Sequence, residues 1–205
     1  MFRSNSMMLI EETTVPQAAL PLAEFKAHLR LGTGFSDGDL QDAVLESFLR
    51  AALAAIEART GKVLIVRDFS WTLTEWRDRA GQALPVAPVT MILSLRLLDR
   101  NDEEEVIEPS FYKLEPDMQR PWLRPTGTCL PGMPPGGRAE LRFTAGYGTG
   151  WGDLPADLGQ AMLLLAAHYH EYRHEMALGG GCMPFGVTSL IERYRTVRLF
   201  GGGAV

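Results

Sequence analysis

The sequence predicts an α+β protein, with a mainly helical module formed by both chain ends and a small antiparallel β-sheet inserted between them. Three observations carry that expectation. Before residue 61 and after residue 151, apolar residues recur at intervals of three and four, the period of one helix face. Between 62 and 150 the period shifts towards two, as a half-buried strand requires. Nine prolines, from Pro85 to Pro135, punctuate that middle stretch, and each removes a backbone donor that a long helix needs. The chain therefore divides into an N-terminal helical part (1–61), a β-rich insertion (62–150) and C-terminal helices with a tail (151–205) that pack with the first part as one module.

The first helical segment runs from Pro16 to Arg30, with Leu22, Phe25 and Leu29 on one face. Pro21 suits a first helical position, although no Ser, Thr, Asp or Asn immediately precedes it. Ser36-Asp37-Gly38-Asp39 offers caps for a stronger helix whose stripe is Leu40, Val44, Leu45, Phe48, Leu49, Ala52 and Ile56. Thr60-Gly61 ends it, the glycine being free to take the left-handed cap. Val63 to Val66, Phe69 to Thr74, Val89 to Leu98, Val106 to Leu114 and Arg138 to Phe143 read as strand material. After Asp153-Leu154-Pro155 a helix resumes, with Leu158, Ala161, Met162, Leu165, Tyr169, Tyr172 and Met176 as its stripe, and Gly179-Gly180-Gly181 stops it. A short last helix is expected from about Thr188 to Thr196.

Composition narrows the function classes. At 205 residues, with 46% hydrophobic and 22% charged, the chain can build a real core. Its formal charge of −5 supplies no basic excess for avid, non-specific nucleic-acid binding by the whole surface. No window reaches the roughly 18 apolar residues of a membrane span, and the first residues lack the apolar stretch of a signal peptide. Cys129 and Cys182 cannot frame a multi-bridge scaffold and match no metal knuckle, so reduced intracellular thiols are expected.

His170-Glu171-Tyr172-Arg173-His174 fits H-E-x-x-H, which on a helix sets two imidazoles one turn apart with a glutamate beside them. A zinc metallopeptidase would hold its metal with His170 and His174 and polarise the bound water with Glu171. Such a site needs a third protein ligand, and only Glu192 lies at a plausible distance. Just 31 residues follow His174, which leaves little chain for a substrate cleft. The plainer alternative is the polar flank of a structural or interface helix.

Asp99-Arg100-Asn101-Asp102-Glu103-Glu104-Glu105 is the densest charge run. Between two strand-like segments it reads as a solvated hairpin loop. The sharper alternative places Asp102, Glu103, Glu104 and Glu105 on an interface or a channel, where repeated copies would form a negative ring. Near the C-terminus, Arg193, Tyr194, Arg195, Arg198 and Phe200 combine basic and aromatic groups. They suit docking to an acidic partner as well as a basic surface on the last helix. Gly146 to Gly152 lacks the lysine of a phosphate-binding loop and reads as a sharp turn.

The order of these segments resembles the head–tail connector, or adaptor, family of long-tailed phages, prophages and gene transfer agents. Leu22-Ala23-Glu24-Phe25-Lys26-Ala27-His28-Leu29-Arg30 is similar to that family's first-helix run of Leu-Ala-Glu-Ala-Lys-x-His-Leu-Arg. Ala51 to Gly61, Leu84-Pro85, Pro88-Val89, Phe143 to Gly148, Leu154 to Leu158, Leu163 to Arg173, Met183 to Val187 and Leu190 to Arg195 continue the resemblance in order. It spans most of residues 16–198 and departs at Pro21, where the family often has Thr or Ser.

The resemblance implies a structural protein with no catalytic residue, no cofactor and no metal site, in which His170 and His174 bind no zinc. It implies a closed ring of copies under the portal protein, above a downstream stopper or tail-interface protein, with DNA passing through without specific contact and no membrane involved. The implied place is the head–tail junction of a virion or phage-like particle assembled in the bacterial cytoplasm. Arg193, Tyr194, Arg195, Arg198 and Phe200 would belong to the portal-engaging segment.

Overall fold

A computed structural model describes residues 8–31, 38–173 and 183–195. The fold is mixed α+β and divides into two compact units. One combines Met1–Leu20 with Lys62–Leu154 and holds the strands; the other combines Pro21–Gly61 with Pro155–Val205 and holds the helices. Among the described residues, no helix is long and apolar enough to cross a membrane.

The strand unit contains β1 (Met8–Glu11), β2 (Arg67–Leu73), β3 (Gln82–Ala83), β4 (Val89–Leu98), β5 (Glu104–Ile107), β6 (Tyr112–Glu115), β7 (Trp122–Pro125) and β8 (Arg138–Ala145). Five form an antiparallel sheet in the order β1-β2-β8-β4-β5, and three form a smaller one in the order β3-β7-β6. β2 and β8 alternate strictly between buried and half-buried residues, which is why their pattern is legible. Phe69 lies opposite Phe143 and Trp71 opposite Leu141 in the ladder. The two phenylalanine rings stack with centroids 5.7 Å apart. Those four residues, with Leu95 and Leu97 of β4, share one core cluster with Tyr112 and Leu123 of the smaller sheet.

The half-buried face of β2 and β8 carries polar pairs. Arg142 of β8 makes a bidentate ion pair with Glu12, and the Thr144 hydroxyl donates to Asp68 at 2.7 Å.

Several segments differ from the sequence expectation. Val63, Leu64 and Ile65 are buried, yet they form no strand beyond single bridges from Lys62 to Ala87 and from Ile65 to Gly148. Loop backbone satisfies this run instead: the Val63 and Val66 amides donate to the Ala87 and Gly148 carbonyls, both at 2.9 Å. Pro109 splits the expected strand from Val106 to Leu114 into β5 and β6, separated by a 3-10 turn. Met8–Glu11 pairs with β2 as an edge strand, and β7 forms between Pro121 and Pro125. The buried Lys62 ammonium donates to the Gln119 side chain at 2.7 Å.

In the helical unit, α1 (Leu22–His28) follows a single 3-10 turn at Gln17–Ala19, so the first expected helix is shorter than its apolar stripe. Its N-terminus at Pro21 carries no side-chain cap. α2 (Gly38–Thr60) ends where Gly61 takes φ +69°, as Thr60-Gly61 suggests. α3 (Ala156–Glu171) packs against α1 and α2, and α4 (Phe185–Ile191) packs against α3. Phe25, Leu45, Leu49, Ile56, Leu158 and Leu165 are buried, giving the unit its own core. The last segment is α4 followed by a 3-10 turn at Glu192–Tyr194, starting earlier than the sequence suggests because Pro184 supplies the helix entry.

Candidate functional site

Beyond the buried Val187 and Ile191 of α4, one carboxylate ties the C-terminal segment to α3. Asp157 lies in the first turn of α3, where a negative charge complements the exposed backbone amides. The Tyr194 hydroxyl donates to its Oδ1 at 2.6 Å, and the Arg193 Nε lies 3.4 Å from its Oδ2. The Arg193 guanidinium also covers the Tyr194 ring at 4.9 Å. Tyr194 is only 6% accessible, so it anchors the segment to α3 and presents little surface. Arg193 and Arg195 remain substantially exposed, with Arg195 paired to Glu192 at 3.0 Å. Arg198 and Phe200 lie outside the described residues. Sequence reasoning did not single out Asp157; the signal available was an aspartate two residues after a proline at a helix start.

The acidic run is a hairpin between β4 and β5. Asp99 Oδ1 accepts the Asn101 amide at 2.7 Å and the Glu103 amide at 2.9 Å, so this side chain builds the turn. Asp102 adopts φ +64° and pairs with Arg138 at 2.7 Å, and Glu104 pairs with Arg96 at 3.2 Å. Asp102, Glu103, Glu104 and Glu105 are all exposed. The loop thus projects carboxylates into solvent, two of them already matched by arginines of its own unit.

The H-E-x-x-H helix is used for packing. The His170 ring meets Phe48 of α2 edge-on, with centroids 5.8 Å apart. Arg173 Nη1 donates to the His170 carbonyl at 2.9 Å and sits 3.4 Å from the ring Nε2. Burial and the Arg173 charge hold this imidazole below its ordinary pKa, with Glu171 opposing them. A guanidinium already occupies the space beside the nitrogen that a zinc ion would need. Glu192, the residue considered as a third ligand, pairs with Arg195. His174 lies outside the described residues, and among those described no three His, Cys, Asp or Glu side chains are grouped to hold a metal.

A further feature escapes sequence reading. Trp122 on β7 is flanked by two guanidinium groups, Arg120 at 4.7 Å and Arg124 at 4.4 Å from its ring centroid. Arg124 is also tied to Glu115 at 2.9 Å, so this cluster braces the smaller sheet.

No family model matches the chain, and no curated protein matches it. Solved structures do. A chain from the neck of an empty GTA particle, computed with C6 symmetry, is 54% identical, with a TM-score of 0.86 over 95% of this chain and 98% of that one. A chain in the virion of the native gene transfer agent (GTA) particle is also 54% identical, with a TM-score of 0.83 and the same coverage. A chain in the neck of the native particle, computed with C12 symmetry, is 50% identical, with a TM-score of 0.82 and again the same coverage. Identity at this level over nearly the whole of both chains fixes more than the fold, and this structural protein belongs to the head–tail connector family of gene transfer agent particles.

Proposed function

We propose that this chain forms a closed ring at the head–tail junction of a phage-like particle, between the portal protein and a downstream stopper or tail-interface protein, with DNA passing through the lumen. The observation that carries the reading is 54% identity to a particle-neck chain across 95% of this sequence. Subunits away from a symmetry axis recur once per rotation. A twelve-membered ring satisfies both the C12 and the C6 symmetry of the similar necks. The ring adapts one annular surface to the next, and its many shallow contacts gain strength through multivalency. No chemical step is involved, and assembly takes place in the bacterial cytoplasm.

The portal is engaged by the segment that begins at the Asp157 anchor. In this reading Tyr194 fixes its root while Arg193, Arg195, Arg198 and Phe200 supply the contacts. The hairpin carrying Asp102, Glu103, Glu104 and Glu105 faces the channel or a subunit interface; towards DNA, its carboxylates would discourage sticking. Replacing Arg193, Arg195 and Arg198 together with serine is expected to reduce the copies recovered on portal-bearing heads, with the helical circular-dichroism signal unchanged. Full recovery of the folded variant on heads would remove the docking role.

A further inference from the structure

Two open strand edges of the larger sheet match each other, and we propose that they join neighbouring copies of this chain, β1 of one copy adding to β4 of the next. The first edge is β1. It pairs with β2 on one side and, among the described residues, ends the sheet on the other. Met8, Leu9 and Ile10 are exposed although apolar, with Met8 53% accessible. Edge strands are commonly blunted by lysine or proline, and β1 contains neither. The second edge is the first half of β4. β5 covers only Leu95 to Leu98, whereas β8 runs along β4 from Val89 to Leu98. From Val89 to Ser94 the other side of β4 therefore has no strand beside it among the described residues. Here too apolar groups are exposed, Met91 at 53% and Leu93 less so.

Direction and charge both select this pairing. β1 is antiparallel to β2, β2 to β8, and β8 to β4, so β1 runs opposite to β4. Rotation about a ring axis lying along the strands preserves each strand's direction. A neighbour's β1 would then meet β4 as an antiparallel strand. β5, the alternative partner, carries exposed Glu104 and Glu105, while β1 ends in Glu11 and is followed by Glu12. That pairing would set like charges together. Met8 to Ile10 and Thr90 to Leu93 carry no charge. Register steps between Val89 and Met91 and between Ile92 and Ser94 limit how long a ladder this edge accepts, and β1 is only four residues long. Main-chain hydrogen bonds would supply affinity, and the exposed methionine, leucine and isoleucine side chains would give the match. Two different surfaces of one chain make a head-to-tail contact, the type that closes into a ring.

The inference rests on the ring reading above, and the experiment separates the two. In a Cys129→Ser, Cys182→Ser background, Ile10→Cys and Met91→Cys are introduced together, and particles are purified and mildly oxidised. On a non-reducing gel the expected product is a ladder of successive multiples of the chain, absent from either single-cysteine variant. Normal neck occupancy without a ladder refutes the β1–β4 contact and leaves the ring reading intact, as does a cross-link from residue 10 to a different virion protein. A product that stops at the dimer likewise contradicts it. Absence of the cysteine-free parent from particles that receive the wild-type chain shows only a defective background. The wild-type chain then decides, by hydrogen exchange. Amides of Met8 to Glu11 and Val89 to Leu93 should exchange on the order of tenfold more slowly in particles than in the unassembled chain. Equal rates would overturn the proposal, whereas absence of the wild-type chain from particles would defeat the ring reading itself.

Discussion

In Glu192-Arg193-Tyr194-Arg195, three residues are charged and the fourth is amphipathic, so sequence alone treats the run as surface. The fold separates them. Tyr194 turns inward and gives its hydroxyl proton to Asp157, while Arg193 covers the ring and contacts the second carboxylate oxygen. Hydrogen bonds to a charged acceptor outweigh neutral ones, so Tyr194→Phe is expected to cost about 1–2 kcal/mol in urea unfolding of the isolated chain. A variant as stable as the wild type would mean that Asp157 does not anchor the segment. His170 teaches the same lesson from the opposite direction. Its motif spacing suggests chemistry, but its neighbours Phe48 and Arg173 make it a packing residue with a disfavoured positive charge. Motifs record spacing along one helix, and the Phe48 contact comes from another.

At the scale of elements, legibility follows how closely a segment's period matches its burial. β2 and β8 are buried on one face along their whole length, and their alternation can be read directly. Val63 to Ile65 is buried without alternation, so its composition announces a strand while loop carbonyls and amides take its hydrogen bonds. β1 is illegible for the reverse reason: all four of its residues are exposed, so no buried face imposes a pattern. Prolines read as breaks also conceal β7, since Pro125 sits at the strand's last position, where a lost donor is tolerated. The sharp turn read at Gly146 is a close backbone crossing. Gly146 has φ +139°, and a Cβ there would lie 2.5 Å from the Val66 Cα. Gly146→Ala should therefore destabilise the chain by about 2 kcal/mol or more, through both backbone strain and the clash. A shift in the urea midpoint too small for that cost would show that the two backbones can move apart.

Across the whole molecule, the order of segments carried more functional information than any single site. The chain leaves the strand unit after Leu20, returns at Lys62 and leaves again after Leu154, so helices from both ends build one unit. The ordered helix, strand and helix runs were legible enough to support the family resemblance, and structures 50–54% identical over 95% of the chain support the same family. The proposed docking contacts are less legible because they would be made to another protein, and burial in one chain leaves no trace of such contacts. The central claim is that many copies of this chain form one ring on a portal. Native mass spectrometry of the purified chain mixed with its portal protein tests this most directly, since it weighs the assembly without imposing symmetry. The account predicts a portal complex carrying a full ring of twelve copies, matching the C12 symmetry of the similar neck. A chain that remains monomeric at every portal concentration would contradict it.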